Sequence, residues 1–291
     1  MSHNIPSSTG GRSTLRYLSI AQHNSLRNWD VYLSFFNSLA SAKCPPDIVC
    51  LQDPPFWRFL LPSFQNWTSF APPAVPGHEP HVAFFVSTFL LAPVPVLPAF
   101  FDRPDFDALD LFGVGFFGKS FSHFHILNIY NLRTKRTSKM TGSPLTTFPK
   151  PSHLTLVVRD CNIHYPLPDP LRSHSAEELT TSLYFSGMAE LGFGLLNQPE
   201  VYTRFRLGGA GHPSVLDLSF ASPWLLPFCQ GWDTPFPSTG SDHLPVQIIP
   251  SHPLSCPPPP SPNWSLTHWP CLEPLLKDFV VLPPSALPTR L

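Results

Sequence analysis

Apolar residues in this chain come mainly in short runs bounded by proline, glycine, serine and asparagine, and that pattern predicts many strands and few helices. Tyr17 to Gln22 reads as a short buried strand. From Asn28 to Ala42, Val31, Phe35 and Leu39 fall at helical spacing behind an asparagine suited to capping a helix N-terminus. Pro45 and Pro46 end that helix, and Asp47 to Gln52 (DIVCLQ) resumes as a strand running into Asp53 and Pro54. His81 to Ser87, Phe124 to Tyr130 and Leu154 to Val158 are further β-rich runs. Ser175 followed by Glu178 forms a capping box for a second helix reaching about Leu191, with Leu179 and Leu183 on one face. Val201 to Phe205, Val215 to Phe220 and Val246 to Ile249 read as short strands. Many strands with two helices predict an α/β (α+β) chain of sheets covered by helices, not a helical bundle.

The chain has 291 residues, 42% hydrophobic and 13% charged, which suits a packed interior and excludes a charge-rich disordered protein. Its 39 prolines against 15 glycines belong in loops and tails. The segment Val82 to Phe101 is uncharged and long enough to span a bilayer, but Pro93, Pro95 and Pro98 would break such a helix repeatedly. Two buried strands joined by a proline turn accommodate them, so no membrane span is assigned. Residues 1–14 read as a flexible tail, 15–250 as the folded domain, and 251–291 (SHPLSCPPPPSPNW and onward) as a proline-rich tail.

A formal net charge of -1 excludes a broad basic field, so any nucleic-acid contact has to be local. The one basic cluster, Arg133, Lys135, Arg136 and Lys139, follows the run ending at Tyr130, and read alone it is a solvated loop. Six cysteines without CxxC or zinc spacing, and a start lacking signal-peptide features, point to a reducing intracellular compartment, nuclear or cytoplasmic.

Polar residues recur where strands end, a position from which a fixed strand can present side chains to a cleft. They are Asn24 (AQHNS), Asp53 (LQDPP), Tyr130 and Asn131 (NIYNL), Asp160 and Asn162 (RDCN), Asp217 (SVLDLSF), and Asp242 with His243 (GSDHLP). Singly, each reads as a turn former or cap. In this order, with TRFR at Thr203, the set resembles the endonuclease/exonuclease/phosphatase (deoxyribonuclease-I-like) superfamily over roughly Leu15 to Pro250. LQDPP, CNIHYPL and PNWSLTHW further resemble the fungal non-LTR (LINE-type) retrotransposon branch, where the last phrase lies between the endonuclease and a reverse transcriptase.

The resemblance implies a four-layer sandwich of two mainly antiparallel sheets flanked by helices. It implies Mg²⁺-dependent phosphodiester hydrolysis, with Mn²⁺ as a substitute, in a monomer that nicks DNA through its phosphate backbone and is joined to a reverse transcriptase in the parent element. By similarity, Asn24, Asp53 and Asp242 hold metal, and Asp160 with Asn162 orients the attacking water. His243, oriented by Asp217, stabilises phosphoryl charge, and Tyr130 completes the catalytic set. Asn131, Thr203, Ser241, Arg133, Lys135 and Arg136 bind substrate or support the site.

Two departures matter. The family's usual Glu after LQ is Asp53, so metal binding there needs a bridging water or a backbone shift, and the usual Gly of GDFN is Arg159, which brings bulk and charge beside Asp160. A catalytically impaired remnant of the same fold is therefore a second expectation. A phosphatase or phosphodiesterase acting on small molecules, and a partner-binding module using the polyproline of Pro257 to Pro260, are others.

Overall fold

The structure, a computed structural model, describes residues 18–56, 60–61, 64, 66–72, 79–88, 90, 94–95, 111–116, 124–130, 154–161, 177–205 and 213–250. All of them lie in Met1–Ser255, the first of two units into which the chain divides. Ser175, Pro257 to Pro260 and the 251–291 tail lie outside the described residues.

Asn28 opens α1 (Trp29–Ser41) as its spacing predicts, accepting through its side chain from the backbone N–H groups of Asp30 and Val31. Val31, Tyr32, Phe35, Phe36 and Leu39 form one buried stripe on this helix. On either side of α1 run β1 (Ile20–Asn24) and β2 (Ile48–Gln52), paired in parallel, followed by β3 (Trp67–Phe70) and β4 (Val82–Ser87). Next come β5 (Val94–Pro95), β6 (Leu111–Phe116), β7 (Phe124–Tyr130), β8 (Leu154–Asp160) and α2 (Glu177–Glu190). The chain continues through β9 (Gly194–Leu195), β10 (Asp217–Ala221), β11 (Cys229–Asp233) and β12 (Val246–Pro250).

The strands form two six-stranded sheets, ordered β11-β12-β1-β2-β4-β3 and β5-β6-β7-β8-β10-β9. Each contains one parallel pair, β1 with β2 and β7 with β8, and is otherwise antiparallel. The segment Val82 to Phe101 thus contributes β4 to the first sheet and β5 to the second, and among the described residues no helix is long and apolar enough to cross a membrane.

The twofold alternation along each strand sorts side chains into three apolar layers. Ile20, Ile48, Cys50, Val82 and Phe84 meet Val114, Ile126, Leu156 and Val158 between the sheets. Val49, Leu51, Ala83 and Phe85 turn outward under α1. Leu127, Ile129, Val157, Leu218 and Phe220 turn outward under Tyr184 and Met188 of α2. The result is the expected four layers, helix on sheet on sheet on helix.

Gly192 ends α2. At φ +82° its N–H donates to Ala189 O while that of Phe193 donates to Met188 O, a left-handed cap for which glycine is the unstrained residue.

Three expectations change. β3, β6, β9 and β11 add strands that the apolar runs did not predict. Val201 to Phe205 is not a strand; Arg204 makes isolated bridges to Ser214 and His243. Arg159 does not stand beside the Asp160 carboxylate, because neighbouring residues of a strand face opposite ways. Its guanidinium lies in the α2 layer, fully buried and 4.4 Å from the centre of the Tyr184 ring.

A fully buried charge is costly to desolvate even when partnered, and replacing such charges by apolar side chains of similar volume is often stabilising. Arg159→Met is expected to stabilise the domain by ~1 kcal/mol or more, a rise of ~2–4 °C in thermal midpoint at this size. A fall in the midpoint would show that stacking on Tyr184 outweighs the desolvation.

Candidate active site

Strand register gathers the first side chains. β8 lies between β7 and β10, and its last residue, Asp160, pairs with Tyr130 on one side and Asp217 on the other. Across the gap between sheets, Asn24 at the end of β1 donates from Nδ2 to Asp160 Oδ2 at 2.6 Å. Behind this contact the interior stays polar, with Gln52 Nε2 donating to Asn128 Oδ1 at 2.7 Å and Asn128 donating to the Leu51 and Ala83 carbonyls.

The turn before β12 supplies the rest. Ser241 Oγ donates to Asn24 O and accepts from His243 N, both at 3.0 Å, pinning this turn to the end of β1. His243 Nδ1 lies 2.8 Å from Asp217 Oδ2. Thr203 Oγ1 accepts from the backbone N–H groups of Leu216 and Asp217, both at 3.0 Å, and so fixes the entry to β10. Arg204 Nε donates to Asp242 Oδ2 at 2.7 Å.

Burial alone would lower the His243 pKa, but the charge of Asp217, then that of Asp160, with the Asp217 hydrogen bond and Asp242, raise it from 6.5 to about 9. The ring is therefore charged near neutrality. His23 responds oppositely: fully buried against the Phe35 ring, and next to the charge of His243, it is lowered to about 3 and stays neutral.

Asp160, Asp217 and His243 each offer a ligand atom within 4.8 Å of the others. Asp217 Oδ1 and Asp242 Oδ1 are buried without a hydrogen-bond partner, and Asp242 Oδ1 is 3.8 Å from His243 Nε2. Oxygen-rich donors left unsatisfied beside a cationic ring fit a hard divalent cation.

Asp53 has other partners. Its Oδ1 accepts from Arg27 Nε at 3.1 Å and lies 2.8 Å from His81 Nδ1, while Oδ2 accepts from Tyr130 OH at 3.1 Å. Burial would raise its pKa, but hydrogen bonds and charges of His81 and Arg27 outweigh this and hold the carboxyl below the ordinary aspartate value. The His81 ring stacks on Tyr130, centroids 5.0 Å apart and planes 8° from parallel.

The structure thus brings Asn24, Asp160, Asp217, Ser241, Asp242 and His243 into one bonded set with Thr203 behind it, and joins Tyr130 to Asp53. Asn131, Asn162, Arg133, Lys135, Arg136 and Lys139 lie outside the described residues. Sequence reasoning passed over Arg27, His81 and Arg204. His81 opens β4 and obeys the same strand-end rule as the others, and Arg204 sits inside TRFR, where attention fell on Thr203.

No family profile and no curated protein matches the chain by sequence. Its fold matches that of the endonuclease domain of TRAS1, a telomere-specific non-LTR retrotransposon, with TM-score 0.60 and 17% identity over 80% of this chain and 98% of that one. It also matches the 3'-5' exonuclease NExo from Neisseria meningitidis, with TM-score 0.56 and 19% identity over 79% and 98% of the two chains. The AP endonuclease LMAP from Leishmania major aligns with TM-score 0.58 and 15% identity over 82% and 89%. At these identities the likeness establishes the deoxyribonuclease-I-like fold.

His243 binds its proton more tightly folded than unfolded, so its contribution to stability is complete below pH 6.5 and is lost as pH rises through about 9. In metal-free buffer the unfolding free energy is expected to fall across that window with a slope approaching one proton, and His243→Gln to flatten it. An unchanged slope in the variant, measured by denaturant unfolding at several pH values, would overturn this assignment.

Proposed function

We propose that this chain hydrolyses phosphodiester bonds in DNA with the help of a divalent metal, Mg²⁺ or Mn²⁺, as the nicking domain of a non-LTR retrotransposon. The observation that carries this reading is convergence: Asn24, Asp160, Asp217 and His243, all buried, and the half-buried Asp242, drawn from both sheets and the turn before β12, form one acid-histidine cluster. Turn chemistry alone gives no reason for them to meet.

When bound there, a divalent cation neutralises phosphoryl charge and makes water more acidic. Asp160, with one oxygen fixed by the Asn24 amide, orients an attacking water and accepts its proton, with Asn162 assisting from two positions along the chain. His243, kept charged and in one orientation by Asp217, donates through Nε2 to a phosphoryl oxygen as negative charge develops. Asp242 contributes a carboxylate oxygen to the metal or its waters, and Arg204 holds that side chain in place. Ser241 and Thr203 keep the His243 turn and the Asp217 strand in register. Tyr130 and Asn131 position the phosphate, while Arg133, Lys135 and Arg136 supply local charge toward the DNA backbone.

Asp53 favours a second reading, an impaired enzyme of the same fold, since its carboxylate is already engaged by Arg27 and His81.

Supercoiled-plasmid nicking tests both. The expected result is nicking that needs Mg²⁺ or Mn²⁺ and falls ~10²–10³-fold in His243→Ala, the usual cost of losing a donor to developing charge. Metal-independent nicking, or nicking unchanged in a folded His243→Ala protein, would overturn the proposal. A large gain in Asp53→Glu would favour the impaired reading. Preferential hydrolysis of inositol or nucleotide phosphates would reassign the substrate to small molecules.

A further inference from the structure

We infer that Asp53 is a positioning residue and not a metal ligand: with Arg27 and His81 it forms a bonded cluster that fixes the Tyr130 hydroxyl. The inference rests on the metal-dependent reading of the site given above and deepens it.

Three observations carry it. Both Asp53 oxygens are engaged, Oδ1 by Arg27 Nε at 3.1 Å and His81 Nδ1 at 2.8 Å, Oδ2 by the Tyr130 hydroxyl at 3.1 Å. Three of the roughly four lone-pair sites of this carboxylate are taken, and a cation approaching it also meets the Arg27 guanidinium beside it. By contrast, Asp217 Oδ1 and Asp242 Oδ1 are buried without any hydrogen-bond partner, so the unsatisfied acceptors lie on the other side of the site.

Second, the cluster is held from several directions. Arg27 also reaches Glu79, with Nη1 3.4 Å from Oε2 and Nη2 donating to the backbone oxygen at 3.3 Å, and the backbone of Asp53 donates to His81 O at 2.8 Å. Third, His81 is stacked flat on the Tyr130 ring while it contacts Asp53, so one imidazole sets the ring plane and the carboxylate sets the hydroxyl. A phenol fixed at both its face and its hydroxyl is pre-organised to meet a phosphate without the reorientation a free one would need.

Mn²⁺ binding to the full chain separates the two assignments, read by the loss of the free-ion electron paramagnetic resonance signal. Asp53→Asn, which keeps the shape but replaces one acceptor oxygen by a donor and removes the charge, is expected to hold Mn²⁺ within about 3-fold of the unsubstituted chain. Asp242→Asn is expected to weaken it by at least ~10-fold, the usual scale for ligand-sphere changes. In plasmid nicking, Asp53→Asn should lower kcat with little change in KM. Combined with Tyr130→Phe it should be no worse than the more severe single variant, because both act through one hydroxyl. A 10-fold loss of Mn²⁺ in folded Asp53→Asn, or additive losses in the double variant, would overturn the inference and leave the nuclease reading standing. Failure of the unsubstituted chain to bind Mn²⁺ at all would overturn both.

Discussion

Two aspartates almost without solvent contact, Asp160 and Asp217, face each other's strands at the centre of a sandwich of apolar side chains, where buried polar groups need partners. The architecture around them answers that constraint. Asn24 spends its amide N–H on Asp160, His243 carries a proton against Asp217, and Arg204 is drawn to Asp242 next door. The remaining unpaired carboxylate oxygens leave the cluster short of positive charge, and a divalent cation would supply it. The groups to which the proposed hydrolysis assigns roles are therefore the same ones that make the buried acids tolerable in the folded state.

The fold positions these groups through register more than through loops. β7, β8 and β10 bring Tyr130, Asp160 and Asp217 to one level of the second sheet, and β1 brings Asn24 to the matching level of the first. Side-chain alternation then decides which residues face the gap. His23 and His243 show the consequence: both are buried histidines, and the charge of His243 bears on His23, yet one is flanked by carboxylates and stays protonated while the other lies against Phe35 and stays neutral.

Much of this was legible in the sequence because it follows from local periodicity. The spacing of Val31, Phe35 and Leu39 marks α1, and the apolar runs mark β1, β2, β4, β7, β8, β10 and β12. What stayed hidden was of two kinds. β6 (LFGVGF) and the two-residue β9 are too short or too glycine-rich to signal alone and exist through their partners, and Val201 to Phe205 has a strand's composition but is occupied in bridging Ser214 and His243. The second kind is long-range pairing: nothing in LQDPP announces that Asp53 meets Arg27, His81 and Tyr130. Arg159 was a readable miss, since a strand that turns Asp160 toward the gap has to turn its neighbour away.

The Asp53 corner also shows why a shorter acid is not repaired by a moving backbone. Leu26, Arg27 and Asp53 all adopt positive φ (54°, 52° and 46°), a conformation that costs ordinary residues ~1–3 kcal/mol each and persists only where the surroundings impose it. Here they do: Asp53 O accepts from Arg27 N and from Ser25 Oγ, and Asp53 N donates to His81 O. The β1–α1 turn and the end of β2 are thereby tied to each other and to the start of β4. Sliding the Asp53 backbone toward a metal would break those bonds, so the missing methylene cannot be recovered by relaxation. The short side chain instead stops within reach of Arg27 and His81, and this corner of the site is closed by the protein's own groups.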